Sequence, residues 1–182
     1  MRFLEGEKCY LRALEPSDID FLYDLENDET LWEISQTQKP FSRAILQEYL
    51  QNATQSIYQS QQLRLAIVSK MEMALVGCVD LYEFDPKNKR AGIGIVLLPE
   101  YRKKGLASEA LILLIRYAFH YLDLHQLFAE ISQDNLPSIQ LFKKVGFSYV
   151  GTKKDWIYSK GEYKDVGIYQ FFNKNDNITD NF

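Results

Sequence analysis

The amino-acid order predicts a single α/β domain, and three observations carry that prediction. The elements read β-α-α-β-β-β-α-β-α-β-β, with no internal repeat and no linker. Apolar residues make up 46% of the 182 positions, enough to fill one core. Third, the buried-strand run 91–98 feeds a short basic turn that opens directly into a helix.

The elements follow in order. Lys8 to Leu14 alternate as a first strand, and Pro16-Ser17 start a helix with Ser17 as its cap and Ile19, Leu22 and Leu25 facing inward. Asn27-Asp28-Glu29 break that helix, and residues 30–40 carry only weak periodicity. A second helix follows Ser42 with Ile45, Leu46, Tyr49 and Leu50 on one side. Residues 63–68 and 75–82 read as strands around a turn near Lys70, and Asp85-Pro86-Lys87-Asn88 mark the next turn. The long helix then shows Ala107, Ala110, Leu111, Leu114, Ile115 and Ala118 on one face. Residues 126–131 form a strand, and Asn135 opens a helix that tolerates Pro137 in its first turn and stops at Gly146. Two last strands, 147–157 and 163–172, flank a turn at Lys160-Gly161. The domain is expected over 1–172, with a polar, fraying tail over 173–182.

The turn Tyr101-Arg102-Lys103-Lys104-Gly105-Leu106-Ala107-Ser108 carries the chemistry. The first amides of a helix lack internal partners and sit at the positive end of its dipole, so they bind phosphate where side chains stay clear. Gly105 and Ala107 are small, and Arg102, Lys103 and Lys104 add charge. Neither a nucleotide P-loop nor a dinucleotide fingerprint has this spacing.

Composition narrows the partners. A net charge of −4 argues against general nucleic-acid binding, so the positive charge at 102–104 is local and suits a small anion. Cys9 and Cys78 lie far apart in apolar runs, with no Cys/His cluster; free buried thiols in a reducing cytoplasm are expected, and no metal. No apolar run is long enough to cross a bilayer, and no signal peptide is read, so the expected setting is cytoplasmic with no membrane partner.

The pattern Arg102-x-x-Gly105-x-Ala107 after a strand resembles the acyl-CoA signature of the GNAT superfamily of N-acetyltransferases. A second motif, Asn135-Leu136-Pro137-Ser138 through Phe142, Lys144 and Gly146-Phe147, is similar to that family's Asn-motif helix, and the element order agrees over nearly the whole chain. Within the superfamily the chain looks like the bacterial spermidine/spermine acetyltransferases and the N-terminal acetyltransferases of ribosomal proteins. The resemblance implies a mixed, mostly antiparallel sheet of about six to seven strands flanked by helices. It implies acetyl-CoA as cosubstrate and an acceptor that is a polyamine-like small amine or a protein N-terminus. Homodimers are common in the family. A non-catalytic CoA-binding sensor stays open as an alternative.

Site residues follow from the resemblance. Ile95, Val96 and Leu97 are expected to pair with the pantetheine arm through their backbone. The amides from Arg102 through Lys103, Lys104, Gly105 and Leu106 to Ala107 are expected on the pyrophosphate, with Ser108 capping nearby. Asn135, Phe142 and Lys144 are expected to contact CoA, Phe142 as an aromatic wall. Relatives that place a general-acid Tyr on this helix have it where Phe142 stands, so Ser138 is the expected hydrogen-bond donor to the sulfur. An acidic position of the polyamine relatives' strand corresponds to Gly92, which leaves Asp80 as the expected carboxylate near the amine, with Glu83 and Glu130 as the other acidic candidates. Tyr82, Glu130 and Tyr158 complete the expected acceptor site. His120 and His125 are read as structural.

Overall fold

The computed structural model describes residues 3–53 and 55–174. From residue 175 the expected tail lies outside the described residues. Asn173, placed in that tail by the sequence reading, is pinned instead: its backbone N–H donates to the His125 carbonyl (2.8 Å) and its amide to the Leu124 carbonyl (3.2 Å).

Seven strands form one sheet: β1 (Cys9–Ala13), β2 (Leu63–Ser69), β3 (Ala74–Asp85), β4 (Arg90–Leu97), β5 (Gln126–Ser132), β6 (Ser148–Ser159) and β7 (Glu162–Phe172). Their spatial order is β1-β2-β3-β4-β5-β7-β6, so β7 lies between β5 and the edge strand β6. Every neighbouring pair is antiparallel except β4 and β5.

Side chains of a strand alternate between faces, and the two faces here carry different helices. Val79 and Leu81 of β3 and Ile93 of β4 join a cluster with α5 (Leu106–His120) and α6 (Leu136–Lys144). Cys78 of β3 and Ala66 of β2 join the other, with Leu22 and Leu25 of α1 (Ile19–Glu26) and Leu46 and Leu50 of α3 (Arg43–Asn52). Leu111, Leu113 and Leu114 of α5 are fully buried, each worth about 2 kcal/mol of transfer free energy. That burial seats the N-terminus of α5 at the end of β4. Both cysteines are free and buried, and burial pushes each thiol up to about 12.

Three local details depart from the sequence reading. A 3₁₀ turn, Pro16–Asp18, precedes α1, and its cap is Glu15 in a capping box with Asp18, not Ser17. Two one-turn helices, α2 (Trp32–Ser35) and α4 (Ile57–Ser60), stand where no periodicity predicted them. The cap of α5 is Gly105 in the left-handed region (φ 84°), and no side chain caps that helix; Ser108 therefore does not play the capping role expected of it.

Candidate active site

The site begins where β4 and β5 part. Their pairing is confined to Arg90/Gln126, Ala91/Leu127 and Gly92/Phe128. Beyond it β4 stays with β3 while β5 stays with β7. Backbone polar groups alternate in direction along a strand. The N–H groups of His125 and Gln126 reach the Lys89 carbonyl (2.7 and 3.2 Å), whereas the Leu98 N–H reaches Val76 next to β3 (3.0 Å). Odd residues of β4 therefore turn toward β5, and even residues of β5 turn toward β4. In the gap, Ile95 and Leu97 offer peptide groups without a strand partner. Val96 does not: its backbone lies on the β3 side opposite Cys78, and its side chain packs with the α1/α3 cluster. That corrects the expectation for Val96, and adds Ile93 as a gap-facing residue that the sequence reading missed.

A tyrosine occupies the apex of the gap. A Cβ on Gly92 would lie 2.2 Å from Tyr82 Cε2, and one on Gly94 3.8 Å from Tyr82 Cε1. The Tyr82 ring thus lies flat over these two glycines, with its edge against Phe128 of β5 at 5.7 Å between centroids. Its hydroxyl lies beside the backbone of Glu130, whose N–H is the first gap-facing amide of β5 beyond the paired stretch. Tyr82 is half-buried, and desolvation, reinforced by the Glu130 charge, pushes its phenol well above the usual tyrosine range. Two glycines at alternate positions of a strand are a sequence signal for such close approach.

At the wide end of the gap stands the N-terminus of α5. Residues 102–105 are exposed, and Lys103 joins Gly105 in the left-handed region (φ 61° and 84°). With no side chain capping the helix, the amides of Leu106, Ala107 and Ser108 have no side-chain acceptor. The acid in the first turn, Glu109, looks away: its carboxylate accepts from the backbone N–H groups of Glu7 (2.9 Å), Lys8 (2.8 Å) and Cys9 (2.7 Å). The cations are partly committed. Arg102 Nε donates to the Leu97 carbonyl at 3.2 Å, and Lys104 lies 3.4 Å from Glu72 and 5.0 Å over the Tyr101 ring. Lys8 of the chain's start adds an ammonium beside Gly105, donating to the Lys104 carbonyl at 3.3 Å.

On the other wall, Asn135 caps α6 by accepting the Ser138 N–H at 3.3 Å. Ser138 is half-buried, and no described residue hydrogen-bonds its hydroxyl. Phe142 is 3% exposed and sits edge-on against Phe147 at 5.1 Å. It belongs to the core and not to an open wall, which corrects the role expected of it. Lys144 is exposed in the last turn of α6.

Asp80 lies on the Tyr82 side of the sheet, but Arg64, directly opposite on β2, holds it at 2.6 Å and also pairs with Glu26 of α1. The set is an ion-pair bridge from sheet to α1, and Asp80 is the least available of the acidic candidates. Glu130 pairs with Lys153 of β6, whose ammonium also stands 4.5 Å over Trp156. Glu83 is exposed, at a register shift of β3. Glu83, Asp85 and Glu130 line a groove of about 570 Å³ with Phe128, Arg90 and Gln170, on the sheet face where Tyr82 lies. Tyr158 is elsewhere, 66% exposed and against Tyr163 near the tip of the β6–β7 hairpin. That hairpin is tied to α2: Glu33 accepts from Ser159 and Lys164, both at 2.5 Å, and Lys164 also pairs with Asp134 at 2.6 Å. Lys164 holds both carboxyls below their ordinary range.

An open strand edge leading from an uncapped, basic helix N-terminus to an apex beside an acidic groove is the arrangement that the resemblance implies for an acyltransferase using a CoA thioester. The acetyltransferase (GNAT) domain model matches residues 8–148, and the chain belongs to that family. The chain is 28% identical over 156 residues to the spermidine N(1)-acetyltransferase of Escherichia coli strain K12, covering 86% of this chain and 81% of that one. It is 29% identical over 160 residues to an uncharacterised prophage-derived N-acetyltransferase of Bacillus subtilis strain 168, covering 88% and 87%. Among solved structures, the spermidine N-acetyltransferase of Vibrio cholerae in complex with CoA and spermine aligns with a TM-score of 0.83 over 92% of this chain and 96% of that one. Identity there is 24%, so this likeness is one of fold. The protein is an acetyl-CoA-dependent N-acetyltransferase built on one mixed seven-stranded sheet.

Proposed function

We propose that this enzyme acetylates a primary amine of a small, cationic, polyamine-like acceptor by direct attack on acetyl-CoA. The observation that carries the reading is the groove beside the apex of the β4–β5 gap, lined by Glu83, Asp85 and Glu130 together with Phe128 and with Arg90, which pairs with Asp85 at 3.3 Å. Carboxylates and an aromatic face suit an ammonium by charge and by cation–π attraction. The relationship to spermidine acetyltransferases points the same way.

The donor half works through backbone. The amides of 105–108 and the cations Lys8, Lys103 and Lys104 hold the pyrophosphate at the α5 N-terminus. The pantetheine arm follows Ile95 and Leu97 as an added strand would, with Asn135 and Ser138 across the gap. This brings the thioester to the apex, where the gap closes at Gly92 and Phe128. The amine arrives from the groove without its extra proton and attacks the carbonyl carbon, so no covalent enzyme intermediate forms. Asp80, clamped by Arg64, keeps β2, β3 and α1 in register beneath this site.

Thiol release from acetyl-CoA against polyamines, amino acids and peptides with free N-termini tests the reading. Turnover greatest with spermidine or spermine is the expected result. Turnover confined to N-terminal peptides would overturn the acceptor assignment. Acetyl-CoA binding without turnover on any amine would make the protein a CoA sensor.

A further inference from the structure

Phe142 removes the phenol that a proton donor on α6 would need, yet a phenol does stand in the gap. We propose that Tyr82 is the general acid of the reaction: its hydroxyl, at the apex of the β4–β5 gap, protonates the sulfur of CoA as the acyl bond breaks. The proposal rests on the acetyltransfer reading above, and three features of the fold support it.

First, position. Pairing of β4 with β5 ends at Gly92/Phe128, and the Tyr82 ring fills the next step, lying on Gly92 and Gly94. A thioester drawn along Ile95 toward that apex ends against the phenol. Second, orientation. The backbone of Glu130 lies beside the phenol oxygen on the β5 side, so the hydroxyl end of the ring is turned toward the gap between β4 and β5. The Phe128 edge at 5.7 Å and the glycine floor hold the ring in place. Third, protonation. The environment is desolvated and carries Glu130, Glu83 and Asp80 on the same side, all of which disfavour phenolate. Such a group is an acid at neutral pH and not a base.

The step balances within the site. The amine lone pair forms the C–N bond, the C–S electrons leave with sulfur, and the Tyr82 proton goes to sulfur to give the CoA thiol. The proton released from the former amine nitrogen returns to the phenolate, and Tyr82 ends neutral. Tyr82 touches the leaving group and is therefore a catalytic residue in the strict sense. Ser138 becomes a lining residue of the opposite wall.

Tyr82→Phe keeps the ring over the glycines and removes only the hydroxyl. The expected result is kcat lowered about 10²-fold or more, with KM for acetyl-CoA within about threefold and an unfolding midpoint close to the parent's. A kcat within twofold of the parent would overturn the proposal, as would a full-sized loss in Ser138→Ala with none in Tyr82→Phe. A second readout needs no acceptor. The thiol of bound CoA is titrated by its thiolate absorbance in the parent and in Tyr82→Phe. A phenol donating to sulfur favours the thiolate, so the bound thiol should titrate lower in the parent; equal titrations would overturn the assignment. This readout separates the two claims: a parent inert toward every amine sinks the acetyltransfer reading, while the titration still decides whether Tyr82 meets the sulfur.

Discussion

At the scale of the residue, two glycines on one strand face have unequal freedom. A methyl group on Gly92 would lie 2.2 Å from the Tyr82 ring, against 3.8 Å for one on Gly94. Gly92→Ala should therefore lose about 1–3 kcal/mol and much of kcat through displacement of the ring, while Gly94→Ala should keep the parent's stability. Urea unfolding of both variants checks the contrast. Equal losses would mean that the ring moves aside freely. Glu109 is the second informative position. Its carboxylate ties Glu7, Lys8 and Cys9 to the first turn of α5, so β1 and the basic turn before α5 share one anchor. Glu109→Gln should cost about 2 kcal/mol, since charge-assisted bonds to three amides lose their charge and one oxygen. It should also weaken acetyl-CoA binding in calorimetry by loosening Lys8 beside Gly105. A variant with unchanged affinity would show that β1 does not support the turn.

At the scale of the element, α2 is a single turn held less by its own sequence than by Lys164. That ammonium sits between Glu33 and Asp134, and it joins α2 to β7 and to the loop entering α6. Lys164→Met should leave global stability within about 1 kcal/mol, as expected for bridges so near solvent. It should nevertheless speed amide exchange over residues 32–37 and raise KM for the amine more than KM for acetyl-CoA. Protection unchanged at 32–37 would mean that the Trp32 indole N–H on the Glu26 carbonyl (2.9 Å) and the Ser159 hydroxyl on Glu33 (2.5 Å) hold the turn without Lys164.

The same element shows where reading a sequence stops. The long helix α5 was legible because its apolar spacing repeats over four turns, and α6 because Asn135 and Gly146 punctuate it. The strand-to-helix turn at 102–108 was legible because Gly105, which caps α5 in the left-handed region, stands just before the apolar periodicity of the helix begins. Helices α2 and α4 were not, since each ends on a glutamine in the left-handed region, Gln36 and Gln61, both at φ 55°, where no glycine announces the stop. The engagement of Asp80 by Arg64 and the contact of Tyr82 with Gly92 were hidden for another reason. Both depend on the register between strands, which places Arg64 opposite Asp80 and Tyr82 opposite Gly92. Residue types were visible, but their partners were fixed at long range.

At the scale of the whole molecule, the carboxylates and the buried thiols set opposite limits on pH. Burial opposes ionisation of Asp18 and Glu109, yet Arg12 and the Glu15 N–H hold Asp18 low, and three backbone amides hold Glu109 low. Lys164 does the same for Glu33 and Asp134. A group whose folded pKa lies below its unfolded value lends stability that is complete above the unfolded value and is lost as pH falls through the folded one. The acid limb should thus begin near the ordinary carboxylate range, about pH 4. Cys9 and Cys78 run the other way, with thiols pushed up to about 12. Their contribution is complete below the ordinary thiol value and is shed as pH rises from roughly 8.5 upward. Thermal midpoints across pH should show a plateau between these limbs. An alkaline limb that persists undiminished in the Cys9→Ala, Cys78→Ala double variant would assign it to other groups.

The alternation along β4 has a consequence for descent. In the proposed donor site Ile95 and Leu97 would address the donor through peptide groups that every amino acid possesses, while the groove beside Phe128 is written in Glu83, Asp85 and Glu130. Mutation can therefore rewrite what is acetylated without disturbing what supplies the acetyl group. A scaffold divided in this way lets one ancestral donor site be inherited by a lineage whose members each choose a different amine.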